Sequence, residues 1–427
     1  MMSEDLLQFI WQYSLYNPLQ LKTQKGEALT IIHPGKRNKN AGPDFDEAKI
    51  KVGETIWVGN IELHLRSSDW EKHGHHFNKA FHNIILHVVL EDDCSDAPSD
   101  CPVLCLGPHI PDEVLKRYTG LLQTVQQIPC SSQLSTIKPI TKESWLNRML
   151  IERWEQKLEE WEAQLQSSAG NWNELFYVRL AANFGFHINT TPFLLLAQSI
   201  PMTLFAKHKE SLMTIEALLL GQAGFLDEVF MDEYPRQLQE EYRFLKSKYQ
   251  LTPIPKHLWK FLRLRPANFP TIRIAQFAAL IYQSWHLFSQ VLSHKNVKEL
   301  TQLFSLQASH YWSHHYQLDD APQDHSPKSL GRASIENIII NTVAPIRFLF
   351  ANQQGDLQGQ EDALQLLTTL RPEKNSILSQ WQSCGWQAAN AAQSQAMLQL
   401  YHHYCTRKRC LECAIGLSII KAAQPNP

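Results

Sequence analysis

The chain lacks the marks of export. Its opening MMSEDLLQFIWQYSLYNPLQ carries Glu4 and Asp5 where a secretory leader needs positive charge, and it has no small-residue cleavage site. Long apolar runs are also missing; even Ile335 to Phe350 is broken by Glu336, Asn337, Asn341, Pro345 and Arg347, which excludes a bilayer span read from composition. Net charge is nearly absent: 40 Lys and Arg stand against 42 Asp and Glu, so no global positive field gathers nucleic acid and any such binding needs a local patch. Cysteine is sparse, 8 in 427 residues, too few for a disulfide framework, so clustered thiols read as metal ligands or free groups. No phosphate-cradling glycine loop, nucleophile elbow, dinucleotide fingerprint or solenoid repeat occurs. These absences lead to the expectation of a cytoplasmic protein with no membrane partner; they leave oligomeric state open.

What is present divides by pattern. Leu6, Leu7, Phe9, Ile10, Tyr13 and Leu15 predict a short amphipathic helix capped by Ser3, with Glu4 and Asp5 in its first turn. Extended segments follow over Ala28–His33, Ala48–Val52, Thr55–Leu65 and Asn83–Leu90, with Gly53-Glu54 as a hairpin turn; Val103–Leu106 is a further short strand. A helix near Asp112–Gln126 closes this part. Beyond Cys130 the periodicity is helical, over Trp145–Gln166, Trp172–Phe184, Pro192–Ile200, Ser211–Gly221, Asp232–Tyr249, Ile272–Leu292, Val297–Gln307 and Gln393–Tyr404, with Asp319–Gly331 as a polar linker. The fold class predicted is α+β: an N-terminal α/β domain over 1–130 and a mostly α-helical domain over 131–427.

The chemistry concentrates in Gly42-Pro43-Asp44-Phe45 and in Glu62-Leu63-His64, whose glutamate lies 18 residues after the aspartate. Alternation along Ile56–Arg66 points Glu62 and His64 to the same face, about 7 Å apart. Carboxylates in a half-buried strand cost several kcal/mol unless compensated, and a hard divalent cation with oxygen ligands supplies that compensation.

Set on a hairpin behind a helix, Pro43-Asp44 and Glu62-Leu63-His64 resemble the PD-(D/E)XK motif of the restriction-endonuclease-like nuclease superfamily over the first third of the chain. The resemblance implies a restriction-endonuclease-like α/β domain and a phosphodiesterase acting on DNA or RNA. It makes Asp44 and Glu62 ligands of Mg²⁺ or Mn²⁺, adds the backbone carbonyl of Leu63 as a third, and matches Glu4 to an additional acidic ligand found in some members. The sequence departs from the motif where lysine is expected, because His64 stands there. Histidine reaches less far and has an unperturbed pKa of about 6.5 against about 10.4 for lysine. His64 therefore serves as a base when neutral or as a stabiliser of phosphate charge when protonated, unlike a lysine. The alternative is a catalytically inactive nucleic-acid- or protein-binding scaffold of the same fold. The NAGPDF, RPANFPTIR and C-terminal cysteine runs also look similar to an uncharacterised bacterial protein family, which implies no activity.

Three further clusters bear on function. His64 is followed by His73, His75, His76, His82 and His87; most read as loop or core-edge residues, with His73 a candidate phosphate contact beside Arg66 and a histidine-liganded metalloenzyme as a rival class. The run KHLWKFLRLRPANFPTIR, Lys256 to Arg273, contains no acid. If Lys256–Leu264 is helical, Lys256, Lys260 and Arg263 share one face able to neutralise phosphates, with Arg265, Asn268 and Arg273 adding hydrogen bonds. The bland reading is a solvated face tied to Glu240 or Glu241. Finally, Cys405, Cys410 and Cys413 have nearly the spacing of a structural zinc site, with His402, His403 or Cys384 as fourth ligand; an iron–sulfur cluster is the runner-up, and thiols packing a terminal helix are the plain alternative.

Overall fold

The computed structural model describes residues 2–38, 40–73, 81–94, 101–284 and 286–422. The protein is α+β, with a small curled sheet in its N-terminal part and helices elsewhere. Two compact units form: one from 1–146 with 379–386 and 398–427, the other from 147–378 with 387–397. The change of composition near residue 130 thus lies inside the first unit, and the C-terminal cysteines belong to that unit as well.

In the first unit, helix α1 (Glu4–Gln12) begins where Ser3 Oγ accepts the Leu6 N–H at 3.3 Å, and it buries Leu6, Leu7, Phe9, Ile10 and Trp11. The sheet contains β1 (Leu29–His33), β2 (Lys36–Arg37), β3 (Phe45–Val52), β4 (Thr55–Arg66), β5 (Ile84–Glu91) and β6 (Val103–Cys105). Its order is β1-β3-β4-β5-β6, with β2 also on β3. The β1, β2, β3 and β4 pairings are antiparallel, whereas β4–β5 and β5–β6 are parallel. A parallel strand in the middle of a sheet is covered on both faces, which explains why Ile84 through Val89 is a continuous buried run rather than an alternating one.

The same rule corrects the alternation expected for β4. Its hairpin end, Ile56, Trp57 and Val58, is exposed, while Ile61 through His64 is buried on both faces. Between β1 and β2 the chain bends at Gly35 (φ +94°). A Cβ there would lie 2.9 Å from the Asp46 carbonyl oxygen, so the bend that lets both strands pair with β3 depends on glycine. Helix α2 (Asp69–Lys72) follows β4, and α3 (Asp112–Gln123) meets the last helix, Ala414–Lys421, where Arg117 donates to the Ile419 carbonyl at 3.0 Å.

The second unit is helical. Trp172–Phe184 forms as predicted, Leu212–Gln222 is shifted by one residue at both ends from the expected Ser211–Gly221, and Glu233–Tyr249 starts one residue later than expected. Ile272–Leu292 is not one helix: Pro270–Gln283 and Leu287–Ser293 are separate. The helical run from Arg332 to Gln354 includes a π turn at Ile339–Val343. Contrary to the reading of Ile335 to Phe350 from composition, the whole run is long and apolar enough to cross a membrane by length and composition, yet Ile338, Ile339, Val343, Ile346 and Leu349 are buried in the unit's own core. The Asp319–Gly331 linker also lies within this unit; it buries Lys328, and Ser329 bridges to Gln307.

Candidate functional site

Strand register creates the site. Antiparallel pairing sets Phe45 opposite Ile61, which brings the preceding Asp44 beside Glu62. The two acids interlock through the backbone: the Asp44 N–H donates to Glu62 Oε2 at 3.1 Å and the Leu63 N–H donates to Asp44 Oδ2 at 3.0 Å. Helix α1 supplies Gln8, whose Nε2 donates to Asp44 Oδ1 at 2.7 Å; β2 supplies Arg37, which donates to Gln8 Oε1 at 2.6 Å and to Asp5 at 3.0 Å. Gln8 and Arg37 have no signal in the sequence motif and emerge only from packing.

The electrostatics are those of crowded acids. Burial, then the charge of Asp44, pushes the Glu62 carboxyl up to about 8, with Glu4 adding to the rise. Asp44 is also raised, chiefly by burial; the Leu63 N–H and Gln8 oppose that, and Glu4 again adds to it. Glu4, Asp44 and Glu62 therefore share one field.

His64 is 2% exposed and sits 3.7 Å from Glu62 Oε1 through its Nε2. Its Nδ1 shares a hydrogen bond with His87 Nε2 at 2.9 Å, and its Nε2 shares one with His73 Nδ1 at 3.1 Å. Sequence reasoning singled out each of these histidines, though not the chain they form. His75 and His76 lie outside the described residues. Arg66 is exposed at the end of β4, its N–H bonded to Asp69 Oδ2 at 3.1 Å.

A divalent ion of the Mg²⁺ type uses one or two protein carboxylates and fills its other positions with water and substrate phosphate. The Asp44 and Glu62 oxygens fit that donor set: they are hard ligands, both raised in pKa by burial and Glu62 further by Asp44, and a cation would relieve that. Among the described residues, no three His, Cys, Asp or Glu side chains are gathered into a metal-holding group.

The basic stripe does not form. Lys256–Leu258 is a single 3-10 turn followed by irregular chain, and Arg263 adopts φ +64°, so Lys256, Lys260 and Arg263 share no helix face. Lys256 pairs with Glu228, not with Glu240 or Glu241, and Lys260 is held through its backbone by Asn189 at 2.9 Å.

None of the 8 cysteines is in a disulfide, the C-terminal ones included. Cys405, Cys410 and Cys413 are buried near one another's fields, joined by Cys130 from far upstream. Burial pushes Cys410 up to about 12 and raises Cys413, which the N–H groups of Gly416 and Ile415 at the start of the last helix oppose. Cys384 also falls within the field of Cys130.

No curated protein and no solved structure matches the chain. A family model described as "Protein of unknown function (DUF2851)" matches residues 4–376, most of its length, and the chain belongs to that family.

Proposed function

We propose that the first unit carries a metal-dependent phosphodiesterase centre acting on DNA or RNA, with Asp44 and Glu62 as its ligands and His64 beside them. The carrying observation is the backbone-locked pair of half-buried Asp44 and buried Glu62, in which burial raises both carboxyls and the charge of Asp44 raises Glu62 further. The placing of Asp44 and Glu62 on the β3–β4 hairpin behind helix α1 also supports the reading. The Leu63 carbonyl and Glu4 complete the ligand set that the motif implies.

A bound Mg²⁺ or Mn²⁺ would acidify a water molecule and polarise a phosphoryl oxygen. Gln8 fixes Asp44 Oδ1, and Arg37 fixes Gln8, so the ligand carboxylate is oriented before substrate arrives. His64 Nε2 holds a proton near Glu62 and passes it to His73 Nδ1, whose ring lies toward the surface. His87 fixes the other nitrogen of His64 and so restrains its ring.

Calorimetric titration of Mn²⁺ and Mg²⁺ into the wild type and into a folded Asp44→Ala, Glu62→Ala protein tests the reading, followed by cleavage of labelled DNA and RNA. Binding and cleavage by wild type alone support it. The scaffold reading draws on the missing lysine and on Asp44, whose two oxygens both already accept hydrogen bonds. Metal-independent binding of nucleic acid, unchanged in the double variant, would favour it.

A structural zinc ion on Cys405, Cys410 and Cys413 is proposed for the C-terminal thiols, with Cys130 in place of His402 or His403 as the fourth ligand. Burial of all four thiols in the first unit supports it, and a zinc ion would have to draw them together, since among the described residues they are not gathered into a metal-holding group as they stand.

A further inference from the structure

The second unit contains a cleft of about 1210 Å³ that the sequence does not announce. Its walls come from the end of the long helix Pro139–Ser167, from Trp172–Phe184, from the π turn at Ile339–Val343 and from the loop after Thr369. Six cations line it: Lys157, Arg179, Arg273, Arg332, Arg371 and Lys374. Three acids do so, and two of them are committed, Glu160 to Arg179 at 3.0 Å and Glu336 to Arg332 at 2.9 Å. The third, Glu373, accepts from Asn341 at 3.4 Å and from Gln395.

Arg273 is the informative member. It is 6% exposed, and its guanidinium donates only to neutral groups: Gln276 at 2.9 Å, Asn268 at 2.6 Å and Ser334 at 3.1 Å. It stacks 4.4 Å over Phe186, and its Nε has no hydrogen-bond partner. A buried guanidinium without a carboxylate is an uncompensated charge, which a protein tolerates where an anion from outside completes it. Lys157 lines the same cleft: its Nζ donates to the Asn341 carbonyl at 2.6 Å within the π turn, above the Trp161 ring. Burial, then Arg153, pushes it down to about 7 against the opposing charge of Glu373, with Arg179 adding to the fall, a shift that a bound anion would reverse. A π turn inside a helix often marks a functional position.

We infer that this cleft binds single-stranded nucleic acid through its phosphates, on Arg273, Lys157, Arg371 and Lys374. Its volume exceeds the usual few hundred to about 1,000 Å³ of a small-molecule pocket. The amides of Asn268, Asn337, Asn341 and Asn375 line the same walls and offer donors and acceptors to base edges. Asn268 and Arg273 are the two members of the basic run that reach the cleft among those the sequence singled out. The inference stands on this cleft alone and not on the metal reading of the first unit.

The test is fluorescence anisotropy with the full chain in EDTA, using labelled single-stranded DNA and RNA of roughly ten nucleotides. Arg371 and Lys374 are exposed, so an Arg371→Glu, Lys374→Glu protein should fold. It should bind at least about tenfold more weakly, and its slope of log K against log salt should fall by about 1.4, the loss of two single-strand phosphate contacts. Lys256→Glu, outside the cleft, should bind as wild type. The inference is overturned if wild type shows no salt-dependent binding, if the double variant binds normally, or if inorganic phosphate competes as well as the oligonucleotide at equal phosphate concentration. Binding retained by Asp44→Ala, Glu62→Ala protein supports the cleft even if no cleavage is ever seen.

Discussion

Asp44 and Glu62 each receive a main-chain N–H from the other's neighbourhood: Glu62 Oε2 accepts from Asp44 itself at 3.1 Å, and Asp44 Oδ2 accepts from Leu63 at 3.0 Å. Neither carboxylate can swing away without leaving a buried N–H unpaired, which costs about 1–3 kcal/mol. The pair is therefore rigid before any ligand binds. Rigidity of this kind suits a metal site, where ligand orientation is set by surrounding hydrogen bonds.

Glu62→Gln separates charge from shape. The amide keeps an oxygen for the Asp44 N–H and loses the repulsion with Asp44, so the variant should melt at or above the wild-type temperature without metal. In millimolar Mn²⁺ the wild type should gain stability while Glu62→Gln gains none. Differential scanning calorimetry with and without the ion reads both effects; equal shifts in the two proteins would remove Glu62 from the ligand set.

Gln8 tests how far the site depends on α1. Removing it in Gln8→Ala breaks the bridge from Arg37 to Asp44 and should cost about 1 kcal/mol of stability. If Gln8 orients the ligand carboxylate, Mn²⁺ affinity should drop by roughly 10-fold or more, as for other outer partners of metal ligands. Urea unfolding and metal titration on the same preparation separate the two losses.

Glu216 governs a pH dependence in the second unit. Its buried carboxyl accepts from Tyr234, from Ser309 at 3.1 Å and from Trp312 at 3.4 Å, yet burial pushes it up to about 7. An acid whose folded pKa is raised contributes stability that is fully present below its ordinary value of 4.5 and lost as pH rises through about 7. Stability should thus decline across that window by roughly 3 kcal/mol from this group. Glu216→Gln should flatten the decline, measured as urea midpoints from pH 4.5 to 8; an unchanged slope would assign the dependence elsewhere.

Zinc binding is checked by metal content and by heat. Protein purified without chelator should contain one equivalent of zinc, and Cys410→Ser, Cys413→Ser or Cys130→Ser should lose it and melt earlier. Cys94→Ser, at the far end of β5, should retain it. An iron–sulfur cluster would instead show visible absorbance that the same three substitutions abolish.

Much of the first unit was legible because local rules govern it. Ser3 and the apolar spacing fix α1, and Gly53-Glu54 fixes the β3–β4 hairpin; in the second unit Trp172–Phe184 carries enough helical periodicity to define both ends. The basic run was misread because its charge spacing matched a helix, whereas the chain makes only short 3-10 turns there and Arg263 adopts φ +64°. Met202–Ala206 and Ser376–Ser383 went unmarked because short helices carry little periodicity.

By itself the sequence determined the element types of the N-terminal sheet, the pairing of Asp44 with Glu62 as candidates, and the clustering of the last three cysteines, because each rests on spacing along a single stretch of chain. Tertiary structure alone decided that Gln8 and Arg37 reach Asp44, that His73, His64 and His87 form a hydrogen-bonded chain, and that Cys130 joins residues nearly three hundred positions later. It alone gathered Lys157, Arg273 and Arg371 around one cleft. These are contacts between segments distant in sequence, set by how buried faces pack, and no periodicity along the chain encodes which distant side chain will fill a given position.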